Sequence, residues 1–528
     1  MSSPDRSAVH DSSAGAVDSR DGAVARGGHL DRALLTVASV VVLGAIMSIL
    51  DVTVVNVAIN HLTRDFDTSL ETIQWVVTGY TLALATVIPI TGWAADRFGT
   101  KRLYMTSLAL FATGSLLSGL AWSAGSLISF RVLQGLGGGM LMPLGMTILT
   151  RAAGPQRVGR VMSIIGIPML LAPIVGPILG GWLVDDVGWR WIFFINIPVG
   201  ALALVLAARI LPRDRPQPHH RFDAIGLALL SPGLAALIYG LAQSSSAGGF
   251  GSSKVLVPAL AGVALLATFV WHALRIDDPL IDLRLFKNRT YAASLTMLVL
   301  FAIALFGAML LIPLYLQGVR GESAMTTGLL LAPQGLGAML TMPLAGLLVD
   351  RTGVGRIVVV GLTLLLAAML ALTQIQADTS YLTLSVILFV MGLGMGATMM
   401  PIMSGALQTL RRGQVARASS TLNIFQQVGA SIGTAVLTVT LASALRDRLP
   451  KAPAGGESSV QNLPDAVREQ LAPLMADAYG YTFWWAVALV CVAFLAAFLL
   501  PFRKPPAPVD EDSVAGEADE APPVLAHV

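Results

Sequence analysis

Of 528 residues, 55% are hydrophobic and 12% charged, and the formal net charge is +3. A water-soluble domain carries about 25% charged residues, so this chain lacks the charge to cover a water-facing surface. That excludes a soluble enzyme, a nucleic-acid binder and a secreted disulfide scaffold, and the one cysteine, Cys491, can form no internal disulfide.

Residues 1–32 are polar, rich in Ser, Asp and Arg, and without an apolar stretch, so they read as a disordered tail and not a signal peptide. Beyond them, apolar runs of about 20 residues, the length that crosses a bilayer core, recur to the end. They predict fourteen spans, at 33–57, 71–95, 102–122, 125–149, 159–183, 190–211, 224–243, 255–275, 291–316, 325–348, 356–376, 381–405, 416–443 and 480–501. Backbone amides in hydrocarbon need partners within their own segment, so the spans are helices, and the first reads as an uncleaved signal anchor. The fold expected is an all-α polytopic membrane protein. Two six-helix bundles, 33–211 and 291–502, flank linkers and two inserted helices at 212–290.

Lys and Arg in short loops set orientation. With the chain starting inside, the inner loops hold nineteen, whereas the short outer loops hold four, Arg64, Arg190, Lys254 and Arg320. Both termini are therefore expected in the cytoplasm, in a cell-membrane protein. In the outer loop 444–479, the stretch LPDAVREQLAPLMADA suits a short amphipathic helix on the membrane surface. Residues 503–528 hold six acids between Asp510 and Glu520 and read as a solvated tail.

The chain repeats itself. Pro89-x2-Gly92-x3-Asp96-Arg97-x-Gly99-x2-Arg102 recurs 254 residues later as Pro343-x2-Gly346-x3-Asp350-Arg351-x-Gly353-x2-Arg356. Gly135-x-Gly137-x-Gly139 followed by Pro143 is echoed by Gly392-x-Gly394-x-Gly396 followed by Pro401. Parallel repeats of this kind place a substrate site between the halves near the midplane.

These residues resemble a known family. The turn Gly92–Arg102 is similar to the loop 2–3 signature of the major facilitator superfamily, and LISFRVLQGLGGG (127–139), with Arg131, Gln134 and Gly135, to its fourth-helix motif. Gly176-Pro177-x2-Gly180-Gly181, preceded by Pro168 and Pro173, resembles the fifth-helix motif of proton-coupled drug exporters, with Ala172 at a position often glycine. Leu50-Asp51-x-Thr53-x2-Asn56-Val57-Ala58 and Trp189-Arg190-Trp191-Ile192-Phe193-x-Ile195-Asn196-x-Pro198-x-Gly200 resemble signatures of the fourteen-helix drug:proton antiporter branch. Asn60 stands where a proline often follows the first of these. The resemblance spans about residues 33–502 and implies that the loop 2–3 turn latches the outward-open state while helix 5 seals the cavity against leak.

With these span ends, of 34 basic and 31 acidic residues only Asp51 and Arg131 lie well inside the hydrocarbon. A charge there costs about 2.5–3.5 kcal/mol on the insertion scale and usually faces a cavity or a partner. Both lie about six residues, or ~9 Å, below the outer end of their helices, so they can meet. Their counterparts by repeat offset are about Leu305 and Leu388, so the symmetry breaks where the charges sit. Two roles fit: Asp51 carries the proton, or the pair is an ion-pair scaffold holding helices 1 and 4. In the first, Asp51 takes a proton and releases drug facing out, then loses it and accepts drug facing in. One pH unit supplies about 1.4 kcal/mol per proton, and each charge moved across 100 mV about 2.3 kcal/mol.

At the loop 2–3 turn, Asp96 can cap the next helix, and Arg97, Lys101 and Arg102 can pair with carboxylates or inner-leaflet lipid. Asn56, Gln74, Trp75, Tyr80, Gln134, Asn196, Gln334, Asn423, Gln426 and Gln427 are candidates for lining a lipophilic cavity or for helix–helix hydrogen bonds. A G-x4-G-K-[ST] phosphate loop is absent from the sequence, which argues against an ATP-driven pump. Two charges are too few for a channel lining, and the paired His219 and His220 fall in an inner loop. The function expected is export of small lipophilic, neutral or monocationic compounds in exchange for protons. No cofactor is implied beyond the proton gradient, and the resemblance implies a monomer in the bilayer. A dedicated exporter of one metabolite, siderophore or lipid is the alternative.

Overall fold

The computed structural model describes residues 32–153, 157–158, 161, 164, 166, 172, 175–176, 178–212, 222–244, 249–410, 414–449 and 465–502. Both tails, the prolines Pro168, Pro173 and Pro177, and the pair His219 and His220 lie outside them. The long elements are helices: α1 (Arg32–Asp65), α2 (Leu70–Phe98), α3 (Thr100–Gly119), α4 (Ala124–Ala153), α5 (Trp191–Ile210), α6 (Ala224–Ala242) and α7 (Ser253–Ala273). They continue with α8 (Arg289–Gly318), α9 (Ala324–Thr352), α10 (Val354–Leu372), α11 (Tyr381–Gln408), α12 (Val415–Arg448) and α13 (Asp465–Ala496). Among the described residues no strand occurs.

Among the described residues twelve helices are long and apolar enough to cross a membrane, against the fourteen expected for the whole chain. The shortfall has two sources. Helix α3 is 20 residues long, but Ser, Thr and Gly dilute its apolarity, and the helical residues between 158 and 182 are interrupted by positions outside the described set. Two further expectations are corrected. Helices α1 and α12 run on to Asp65 and Arg448, past the predicted ends at 57 and 443. The last helix begins at Asp465 rather than 480, so VREQLAPLMADA is a continuation of that helix and not a separate surface helix.

The repeat extends to helix starts. Ser69 and Ser323, 254 residues apart, each accept a bond from the amide three residues on, at 3.2 and 3.1 Å, which satisfies one orphan donor of α2 and α9. At the far ends of these helices Gly99 and Gly353 take φ 88° and 97°. That left-handed backbone costs glycine nothing and strains other residues, so each helix stops there and turns into the next. Pro89 and Pro343 sit inside α2 and α9, and Pro143 and Pro401 inside α4 and α11. Packing follows the same pattern: α4 lies against α2 and α3, and α11 against α9 and α10.

Helices α6 and α7 pack on each other, and α6 also lies against α2 and α12. Asp223 starts α6 by accepting from Gly226 N at 2.7 Å, and the same oxygen is 2.9 Å from His272 Nε2 at the end of α7. Among the described elements, α12 of the second half lies against α2 and α4 of the first.

Candidate functional site

Asp51 and Arg131 meet directly. Arg131 Nη1 donates to Asp51 Oδ2 at 2.5 Å, and both side chains are fully buried. The approach depends on small residues: a Cβ on Gly135, one turn beyond Arg131, would lie 2.5 Å from the Tyr80 carbonyl oxygen of α2, so α4 comes close enough for Arg131 Nε to donate to Val76 O at 3.2 Å.

Gln134 closes the cluster. Its Oε1 accepts from Arg131 Nη1 at 2.8 Å and its Nε2 donates to Asp51 Oδ1 at 2.8 Å. Asn196 Nδ2 reaches the same Oδ1 at 3.3 Å. Tyr80 lays its ring 4.1 Å from the guanidinium carbon of Arg131, a cation–π contact strengthened by desolvation. Arg131 Nη2 is buried without a hydrogen-bond partner. Chemically this is one negative and one positive charge in a dry enclosure. Removing either partner would leave the other charge uncompensated, which low dielectric makes costly.

The expected partners of the loop 2–3 turn resolve differently. Asp96 accepts from Arg151 at 3.4 Å and pairs with Arg417, at the start of α12, at 3.7 Å. Gly92 faces the same residue: a Cβ there would lie 3.0 Å from Arg417 Cα. Arg151 and Arg417 were counted in the sequence only as loop charges. Lys101 Nζ donates to Ala208 O and Leu211 O, both at 2.7 Å, neutralising the carbonyl end of α5. Arg97 and Arg102 are exposed, as is Arg351 in the second half, while Asp350 stands in the last turn of α9.

Gly176 and Gly180 are buried against α1: a Cβ at 176 would overlap the Thr53 side chain, and one at 180 would lie 3.1 Å from Val54 O, whereas Gly181 faces open space. Of the cavity candidates, Tyr80 and Gln134 belong to the charged cluster. Gln334 is buried with Nε2 3.1 Å from Met395 Sδ, Gln426 is buried, and Asn56 and Gln74 are exposed. Asn423 donates to Met146 Sδ at 3.3 Å across the two halves. Leu305 and Leu388, the counterparts of the charges, are both buried in apolar core. Sequence reading passed over Ser115, whose place in the cluster had no signal beyond a serine on a diluted helix.

A helical membrane protein of two repeated halves, with a charged cluster sealed in one of them, is the class these features define. The chain belongs to the Major Facilitator Superfamily, a family of membrane transporters, whose profile matches residues 41–434. It is 48% identical over 494 residues to a "Multidrug resistance protein B homolog" of Mycobacterium tuberculosis, covering 90% of this chain and 91% of that protein. It is 34% identical over 409 residues to the "Multidrug export protein EmrB" of Haemophilus influenzae, covering 77% and 80%. The fold is similar to that of the human organic anion transporter MFSD10, with TM-score 0.58, 15% identity, and coverage of 87% and 99%.

Proposed function

We propose that this chain exports small lipophilic, neutral or monocationic compounds across the cell membrane in exchange for protons, by alternating access. The observation that carries this is the buried Asp51–Arg131 pair, present in one half and replaced by leucines in the other. A scaffold repeated twice has no structural need for a desolvated ion pair in only one copy, because breaking even costs good geometry. The names of the relatives support drug-sized cargo.

In this reading Asp51 alternates between ionised and protonated states. Ionised, it cancels Arg131 and leaves the site neutral. Protonated, it leaves one net positive charge, which repels a bound cation and loosens the contacts that hold the guanidinium. The end bearing Asp96 and Arg417 faces the cytoplasm, as do both termini, and its closure corresponds to the outward-facing state. Helix α3 and the helical stretch within 158–182 complete fourteen crossings, in two six-helix bundles with α6 and α7 inserted, and the working unit is the monomer. Exchange needs no cofactor beyond the proton gradient.

The test uses inverted vesicles with an acid interior, a panel of lipophilic dyes and antibiotics, and Asp51→Asn. Wild type should concentrate at least one compound in a gradient-dependent way, and the variant, present in equal amount, should not. Gradient-driven uptake by the variant would return Asp51–Arg131 to the role of an ion-pair scaffold.

A further inference from the structure

The segment Trp189-Arg190-Trp191-Ile192-Phe193-Phe194-Ile195-Asn196 has no role in the exchange described so far. Trp189, in the turn before α5, and Phe193 and Asn196, within it, are all buried. Trp189 Nε1 donates to Asp65 Oδ2 at 2.8 Å, clamping the far end of α1. The Phe193 ring lies 5.7 Å from the Arg131 guanidinium carbon. Ile195 keeps helical backbone inside α5, and the Asn196 amide lies 3.3 Å from Asp51 Oδ1.

The hydrogen bonds fix which way that amide faces. Ser115 Oγ, on α3, donates its single proton to Phe193 O at 2.9 Å. Towards Asn196, 3.0 Å away, the same oxygen can then only accept. The Asn196 amino group therefore faces both Ser115 and Asp51. Gln134 is oriented likewise, because its oxygen is taken by Arg131. Among the described residues, every group hydrogen-bonded to the Asp51 carboxylate is thus a donor: Arg131 on α4, Gln134 on α4 and Asn196 on α5. Among the described residues Tyr80, from α2, is a further titratable group near it and sits on the Arg131 guanidinium. These three donors suit a carboxylate, and among the described residues none of them offers an acceptor to a carboxylic acid proton.

We propose that Asn196, held by Ser115, is a positioning residue of the proton site, favouring the ionised form of Asp51 and so setting the pH at which the carrier takes up its proton. The proposal rests on Asp51 being the proton carrier. A hydrogen bond to a charged group weighs more than one between neutral groups.

The test titrates the full-length protein in lipid nanodiscs by infrared spectroscopy, following the C=O stretch of a protonated carboxyl group and assigning it by its loss in Asp51→Asn. In Asn196→Leu the titration midpoint should move about one pH unit upward, a tenfold change in proton affinity. Ser115→Ala, a smaller change that leaves the amide in place but unseated, should move it the same way by less. A midpoint unchanged in both variants, with the band still absent from Asp51→Asn, overturns the proposal and leaves Asp51 as carrier. A band that survives in Asp51→Asn overturns both. A merely structural role for Asn196 would lower thermal stability and leave the midpoint where it is.

Discussion

At the scale of single residues, the Asp51–Arg131 pair illustrates how a buried ion pair holds a site without stabilising the fold. Its two charges gave up water, and their attraction roughly repays that loss, but removing one partner strands the other. Arg131→Met should therefore destabilise the protein by about 3–5 kcal/mol. Arg131→Met combined with Asp51→Asn should recover most of that loss while remaining inactive. Thermal unfolding of the purified variants reads the difference. Equal stability of the single and double variants would mean that the carboxylate is not stranded and has another partner. That Asp51 and Arg131 are the informative charges was legible from hydropathy alone, because charge inside hydrocarbon is rare. Gln134 was named only through the fourth-helix resemblance and as a cavity candidate, and its bonds to both charges come from the structure. Ser115 was not legible, since a serine on a transmembrane helix hydrogen-bonds its own backbone equally well.

At the scale of elements, the turns between α2 and α3 and between α9 and α10 are the same device used twice. Each depends on one glycine, Gly99 at φ 88° and ψ 141° and Gly353 at φ 97° and ψ 158°. Any other residue there costs about 1–3 kcal/mol of backbone strain. Gly99→Ala and Gly353→Ala should each lower the unfolding temperature. Gly125→Ala, in the first turn of α4 with nothing within 4 Å of its Cβ, should be neutral or raise it slightly. A harmless Gly99→Ala would show that the turn can be made another way. These glycines and the prolines were visible in the repeat because their backbone roles restrict residue type. Helix ends were less visible. Nothing in the composition of VREQLAPLMADA distinguishes a helix lying on a membrane from one continuing out of it, and only packing against the neighbours decides. The dilution of α3 by Ser, Thr and Gly has a similar origin. It is packed beside α4 and α5, so small and hydroxyl-bearing residues serve close approach where lipid-facing helices need bulk.

At the scale of the whole molecule, the contacts between the two halves set the balance between conformations, and one of them is a charge pair. Asp96 is the hub. It is nearly buried, shared between Arg151 of its own half and Arg417 of the other. Of these, Arg417 alone spans the gap, because α12 belongs to the second half. Arg417→Gln removes that charge pair and keeps Arg151 in place, so Asp96 remains compensated and the fold within each half is untouched. A change of about 1.4 kcal/mol shifts a two-state population tenfold, and a shift of roughly that size towards opening at this end is expected. Spin labels at Thr106→Cys on α3 and Val360→Cys on α10, both exposed, with Cys491→Ser to remove the native thiol, measure it as a growing long-distance population. Arg448→Gln serves as the control. Arg448 pairs with Asp477 at 2.6 Å between α12 and α13, within the second half, and its loss should leave the distances unchanged. If Arg417→Gln gave the wild-type distribution, closure would rest on the apolar contacts of α12 with α2 and α4, and the charge at Asp96 would matter only within its own half.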